Sequence, residues 1–79
     1  MSENAKRESR SSRELARVLT EDRELAVAVY ATGIHRSQLW RYSTGRGKPD
    51  AEHVGKLHRA TEGTVAADGW ETEASRGAA

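Results

Sequence analysis

The sequence predicts a compact all-α domain of four to five helices. Its 79 residues allow one small domain. A chain of this length buries only about 60% of its unfolded surface, so its hydrophobic core is modest. Apolar residues recur at helical spacing, and capping residues and glycines stand where helices would begin and end. We expect the domain to span residues 11–70, between a disordered N-terminal arm (residues 1–10) and a flexible acidic tail (residues 71–79).

The first two helices are predicted from capping residues and apolar periodicity. Ser11 and Glu14 have the spacing of a capping box, so the first helix is expected to begin near Ser12. The second is predicted over residues 25–31, after the capping segment 20–22. Its alternating leucine and valine residues would also suit a strand, but its alanines favour a helix and no partner strand is predicted. Because this helix is apolar on most sides, it is expected to be nearly buried.

The third helix is predicted between two glycines. Gly33 is expected to end the preceding helix in a left-handed conformation. The third helix then covers residues 36–43 and ends at Gly45. Leu39 and Tyr42 lie three residues apart, so both are expected to face the core.

The fourth helix is predicted over residues 51–61. Asp50 is a suitable N-cap for it, and Gly63 is expected to follow its end. Beyond that glycine, Val65 and Trp70 are expected to close the bottom of the core.

The positive charge is unevenly distributed. The net charge is only +1, and residues 1–33 hold six basic and six acidic side chains. Residues 34–60 hold six basic and two acidic ones, whereas residues 61–79 hold one basic and four acidic ones. The excess therefore lies on the third helix, the loop after it and the fourth helix, which indicates a polyanionic partner.

The order of elements is the one that a helix-turn-helix requires to place a short helix in the major groove of DNA. Arginine can donate two hydrogen bonds to guanine O6 and N7, whereas glutamine can donate one to adenine N7 and accept one from its N6 amine. The residues expected to contact bases are Arg36, Ser37, Gln38, Trp40 and Arg41. The residues expected to contact phosphates, which position the protein without reading sequence, are His35, Thr44, Arg46 and Lys48. For Trp40, packing on the first helix is slightly favoured over contact with a thymine methyl or a dimer partner, because lone aromatic residues more often belong to a core.

Residues 25–49 resemble the Cro/CI-type helix-turn-helix of phage and plasmid repressors. That family's framework positions are occupied here by Gly33, Ile34, Leu39, Tyr42 and Gly45, and its basic loop by Arg46-Gly47-Lys48-Pro49. The resemblance extends over residues 12–70, and residues 60–65 are similar to the end of small Cro-like and YdaS-like proteins. His35 stands where the family commonly has Ser or Thr.

The resemblance implies a transcriptional repressor of a phage or plasmid operator. Such proteins bind double-stranded DNA as homodimers on two half-sites about one helical turn apart, and they exclude RNA polymerase. By analogy, the dimer contact is expected at Val65, Trp70 and the last helix. No cofactor, metal or small-molecule ligand is expected. Without a cysteine or an apolar run of about 20 residues, a cytoplasmic protein with no membrane contact is predicted.

Other functions compete with this interpretation. An antitoxin-like helix-turn-helix module would bind a toxin protein and regulate its own operon. A protein-interaction bundle would leave the basic segment incidental. An enzyme is not expected, because His53 and His58 are five residues apart and do not share a helix face, and no metal-binding or nucleophile motif is present.

Overall fold

The computed structural model describes residues 8–71 and places four α-helices and no strand in them. They are α1 (Arg10–Glu21), α2 (Arg23–Tyr30), α3 (Arg36–Thr44) and α4 (Ala51–Ala60). The radius of gyration is 11.8 Å, close to the roughly 11 Å expected of a folded chain of this length. The compact all-helical fold is therefore confirmed. The predicted arm and tail lie, apart from residues 8–10 and 71, outside the described residues.

The start of α1 differs from the prediction. Ser9 is the N-cap: its hydroxyl accepts the Ser12 amide at 3.1 Å, and the Ser12 hydroxyl accepts the Ser9 amide at 2.7 Å. The predicted capping box of Ser11 and Glu14 is wrong, because the buried Ser11 hydroxyl donates instead to the Ala66 carbonyl at 2.6 Å. A serine at the third helical position performs the role usually taken by glutamate.

The second predicted helix is confirmed, but its predicted burial is wrong. Asp22 caps α2 by accepting the Leu25 amide at 3.1 Å. Val29 is fully buried, whereas Val27 is 63% exposed and Tyr30 44% exposed. At about 100° per residue, Val27 lies roughly 160° around the helix from Val29. α2 packs against α1 and α4, and the side of it that carries Val27 remains exposed.

The turns around α3 agree with the sequence. Gly33 has φ +86° and Gly45, the C-cap, has φ +77°. Glycine adopts these left-handed conformations without the steric cost that a β-carbon would impose. Ile34, between Gly33 and the helix, is buried, and α3 extends one residue further than predicted, to Thr44.

The fourth helix and the segment after it close the core. Asp50 caps α4 by accepting the His53 amide at 2.9 Å, and the helix ends at Ala60, one residue early. Val65 and Trp70 are 0% and 5% exposed, so their predicted place in the core is confirmed. Because both side chains are buried within one chain, neither is available for the dimer contact expected there.

One continuous core joins these elements. α1 packs against α2 and α3, and α2 packs against α4. The core side chains are Leu15, Val18, Val29, Ile34, Leu39, Tyr42, Leu57, Val65 and Trp70. None of the helices within residues 8–71 has the length and apolar character needed to cross a membrane.

The start of α1 is fixed to the last described segment by three contacts, which we call the α1 anchor. The Ser11 amide donates to the Gly69 carbonyl at 2.9 Å, and its hydroxyl donates to Ala66. Arg10 forms a 3.0 Å salt bridge with Asp68. Gly69 lies so close to the Ser11 hydroxyl that a β-carbon there would overlap it.

Candidate nucleic-acid interface

The two sides of α3 differ sharply in exposure. Leu39, Tyr42 and Ser43 are 1%, 7% and 8% exposed and hold the helix against the core. The opposite side is exposed, as are the cap before the helix and the basic loop after it. We call this set the α3 surface; it comprises His35, Arg36, Ser37, Gln38, Trp40, Arg41, Arg46 and Lys48. All five predicted base-contact residues are therefore exposed on α3.

The first turn of α3 is capped by a histidine. His35 Nδ1 accepts the Ser37 amide at 3.1 Å and lies 2.8 Å from the Ser37 hydroxyl. With Nδ1 as the acceptor, the tautomer assigned to the ring carries its N–H on Nε2, which is then the only N–H donor of the ring. The Ser37 hydroxyl is thus engaged in the cap, whereas the exposed Gln38 side chain forms no hydrogen bond within residues 8–71.

The loop after α3 is held by the helix backbone. The amides of Arg46 and Gly47 both donate to the Arg41 carbonyl, at 2.9 and 3.2 Å. These bonds fix the path of the basic loop. The Thr44 hydroxyl donates to the Trp40 carbonyl at 2.9 Å, which makes Thr44 the weakest of the predicted phosphate contacts.

Two arginines of the α3 surface lie against aromatic rings. The Arg36 Cζ atom is 5.3 Å from the centroid of Tyr30, and the Arg46 Cζ atom is 5.2 Å from that of Trp40. Both distances are within the range of cation–π attraction. Trp40 is 55% exposed, so its ring lies outside the core. It lines an open cleft between α1 and α3 of about 390 Å³, together with Tyr30 and Arg36.

The positive charges of the α3 surface have no acidic partners in the described part of the chain. Salt bridges in residues 8–71 join Arg10 to Asp68, Arg17 to Glu14 and Lys56 to Glu52. The acidic residues nearest in sequence serve elsewhere, since Asp50 caps α4 and Glu52 pairs with Lys56 at 3.3 Å. Arg36, Arg41, Arg46 and Lys48 consequently form no salt bridge with another residue of the segment 8–71.

Tyr42 connects the buried side of α3 to α4. Its hydroxyl lies 2.8 Å from His53 Nδ1, and its ring meets that of Trp70 edge-to-face at 6.2 Å. Burial, and to a smaller extent the charge of Asp50, raises the pKa of Tyr42 above its usual 10.0. The side chain is therefore neutral at physiological pH. The buried indole N–H of Trp70 has no partner among the described residues.

Tyr30, which contacts Arg36 of the α3 surface, is not among the site residues predicted from the sequence. The sequence predicts it in a nearly buried helix, whereas it is the last residue of α2 and is 44% exposed. A helical wheel centred on Val29 would have placed Tyr30 about 100° away, at the boundary with solvent. Within residues 8–71 no group of three or more His, Asp or Glu residues is arranged to hold a metal.

Comparison of the chain with protein-family models, with curated proteins and with solved structures gave no match.

Proposed function

We propose that this chain is a sequence-specific DNA-binding protein with a Cro/CI-type helix-turn-helix formed by α2 and α3. The observation that supports this most is the α3 surface itself. A short helix is fixed to the core by Leu39 and Tyr42, and its exposed side presents arginine and glutamine side chains that have no acidic partner within residues 8–71.

The dimensions suit the major groove. An α-helix with its side chains is about 10–12 Å in diameter, which the major groove, about 12 Å wide, admits. Because Ile34, Leu39 and Tyr42 are buried, binding would not require the helix to reorient. Arg36 and Arg41 are assigned to guanine O6 and N7, and Gln38 to adenine N6 and N7.

The flanks of α3 are assigned to the DNA backbone. Arg46 and Lys48 lie in a loop that is held by hydrogen bonds to Arg41, so they are positioned to neutralise phosphates. The Nε2–H of His35 is a third donor at the other end of the helix. Such contacts fix the register of a protein on the duplex.

The biological role proposed is repression of a phage or plasmid operator by a homodimer. A two-fold symmetric dimer would place two copies of α3 in successive major grooves, about 34–36 Å apart. Occupation of a promoter would then exclude RNA polymerase.

Selection from a library of random duplexes tests this proposal. We expect enrichment of a two-fold symmetric site with half-sites one helical turn apart. Affinity for that site should fall by orders of magnitude as salt rises from about 50 to about 200 mM, because phosphate binding releases counterions. Failure to enrich any sequence, together with an affinity that is flat against salt, would reject the proposal.

An antitoxin-like function is the second candidate, and the exposure of Val27 supports it. This side chain is 63% exposed beside Tyr30, where a protein partner would find apolar surface. Purification from the native host distinguishes the two functions, because an antitoxin would co-purify with one partner at a fixed stoichiometry.

A further inference from the structure

Tyr30 contacts a residue assigned to DNA although it lies outside α3. It is the last residue of α2, Arg36 is the first of α3, and the Arg36 Cζ atom lies 5.3 Å from the centre of the Tyr30 ring. The ring is 44% exposed. The Arg36 guanidinium lies over the face of the Tyr30 ring. The Tyr30 hydroxyl has no hydrogen-bond partner within residues 8–71.

The type of contact matters for binding. A carboxylate partner would occupy the N–H donors of Arg36 and would have to be displaced by DNA. Attraction to a ring face restrains the guanidinium without using its N–H groups as hydrogen-bond donors. Arg36 is therefore held in place with its donors available for the O6 and N7 atoms of a guanine.

The geometry points to Tyr30 as a positioning residue that determines specificity for guanine at one position of each half-site, acting through Arg36. This inference rests on the proposed DNA-binding function. Holding the guanidinium in the free protein lowers the conformational entropy that Arg36 loses on binding. The benefit is confined to the base pair that Arg36 contacts, since Tyr30 itself is assigned no contact with DNA.

A set of matched variants separates this role from a structural one. Tyr30→Ala removes the ring and Tyr30→Phe retains it. Val27→Ala removes an exposed apolar side chain one turn earlier. The probe is a library of duplexes with a randomised centre, and the readout is the base preference at each position. With Tyr30→Ala we expect discrimination at one position per half-site to fall about two- to fivefold, the range of an exposed cation–π contact. Tyr30→Phe and Val27→Ala should retain the wild-type preference.

Arg36→Ala should lose discrimination at the same position, and adding Tyr30→Ala to it should change nothing further. NMR of the free protein gives a test without DNA. The side-chain protons of Arg36 should show ring-current shifts in wild type and Tyr30→Phe that are lost in Tyr30→Ala.

The outcomes separate the two proposals. If no sequence is enriched by wild-type protein, the proposed function and this inference fail together. If a site is enriched and Tyr30→Ala retains the full preference at every position, only the role of Tyr30 is wrong. An equal loss in Tyr30→Phe, or a further loss in the Arg36→Ala background, would also overturn it.

Discussion

Two stretches of this chain are rich in serine and arginine, and the fold uses them in opposite ways. In residues 9–13 the serines are buried and hydrogen-bonded, and Arg10 pairs with Asp68. In residues 36–41 the serine and both arginines are exposed, and neither arginine has a carboxylate partner in the described chain. The α1 anchor therefore contributes to stability, whereas the α3 surface leaves its charges available to a partner. Residue type alone does not distinguish these roles; burial and pairing do.

The largest expected effect tests the orientation of α3. Leu39→Ala should lower the free energy of unfolding by about 2–5 kcal/mol, because the side chain is 1% exposed and its loss leaves a cavity. The exposed neighbour Gln38→Ala should change it by less than about 0.5 kcal/mol. Chemical denaturation measures both. Similar losses in the two variants would contradict the assignment of a buried and an exposed side to this helix.

The α1 anchor is tested by adding one methyl group. Gly69→Ala should destabilise the protein by about 1–3 kcal/mol, because its β-carbon would overlap the Ser11 hydroxyl. In a Ser11→Ala background the same substitution should cost clearly less, since the overlapping atom is gone. Thermal unfolding of the four proteins gives this comparison. A Gly69→Ala cost that is unchanged by Ser11→Ala would show that another contact restricts position 69.

Substitution of arginines should weaken DNA binding in the α3 surface but not in the α1 anchor. Arg36→Ala and Arg41→Ala should each weaken binding to the selected site by about 1–3 kcal/mol and reduce the preference over random DNA. Lys48→Ala should weaken specific and random binding similarly and lower the salt slope by about 1. Arg10→Ala, which breaks an exposed salt bridge, should leave binding unchanged and cost less than about 1 kcal/mol of stability.

Fluorescence anisotropy against a labelled duplex measures all four affinities. If Arg10→Ala weakens binding as much as Arg36→Ala, the distinction between the two regions fails.

The smallest effect concerns the buried side of α3 at high pH. Because the native pKa of Tyr42 is raised above 10.0, the folded state retains this proton more strongly than the unfolded chain. The contribution to stability is thus complete below pH 10 and is lost as pH rises through the native pKa. Tyr42→Phe has no such proton. The stability difference between wild type and Tyr42→Phe should therefore shift against wild type above pH 10, and a pH-independent difference would contradict the raised pKa.

The helices were predictable because their signals are local. The Asp50 side chain caps a helix that begins at the next residue, and Gly33 and Gly45 act through their own backbone. The spacing of Leu39 and Tyr42 fixes the buried side of α3. The start of α1 was not predictable in this way. The role of Ser11 depends on Ala66, which is 55 residues away, and no local pattern distinguishes it from the true cap at Ser9.

The composition of the α3 surface was predictable, but the contacts within it were not. Alternation of buried and exposed positions follows from helical periodicity, so Arg36 and Arg41 were correctly placed outside. The pairing of Arg36 with Tyr30 and of Arg46 with Trp40 depends on how the turn and the loop fold back. The exposure of Val27 depends on which sides of α2 have neighbouring helices. The apolar composition of α2 does not indicate this.

The two tryptophans provide separate optical signals. Trp70 is 5% exposed and Trp40 is 55% exposed, so the former emits from an apolar environment at shorter wavelength and the latter from a largely aqueous one. Trp40→Phe would leave an emission that follows only unfolding of the core. The difference between the wild-type and Trp40→Phe spectra is the emission of Trp40, which lies beside Arg46. This emission would report the binding of a ligand at α3 without an attached dye.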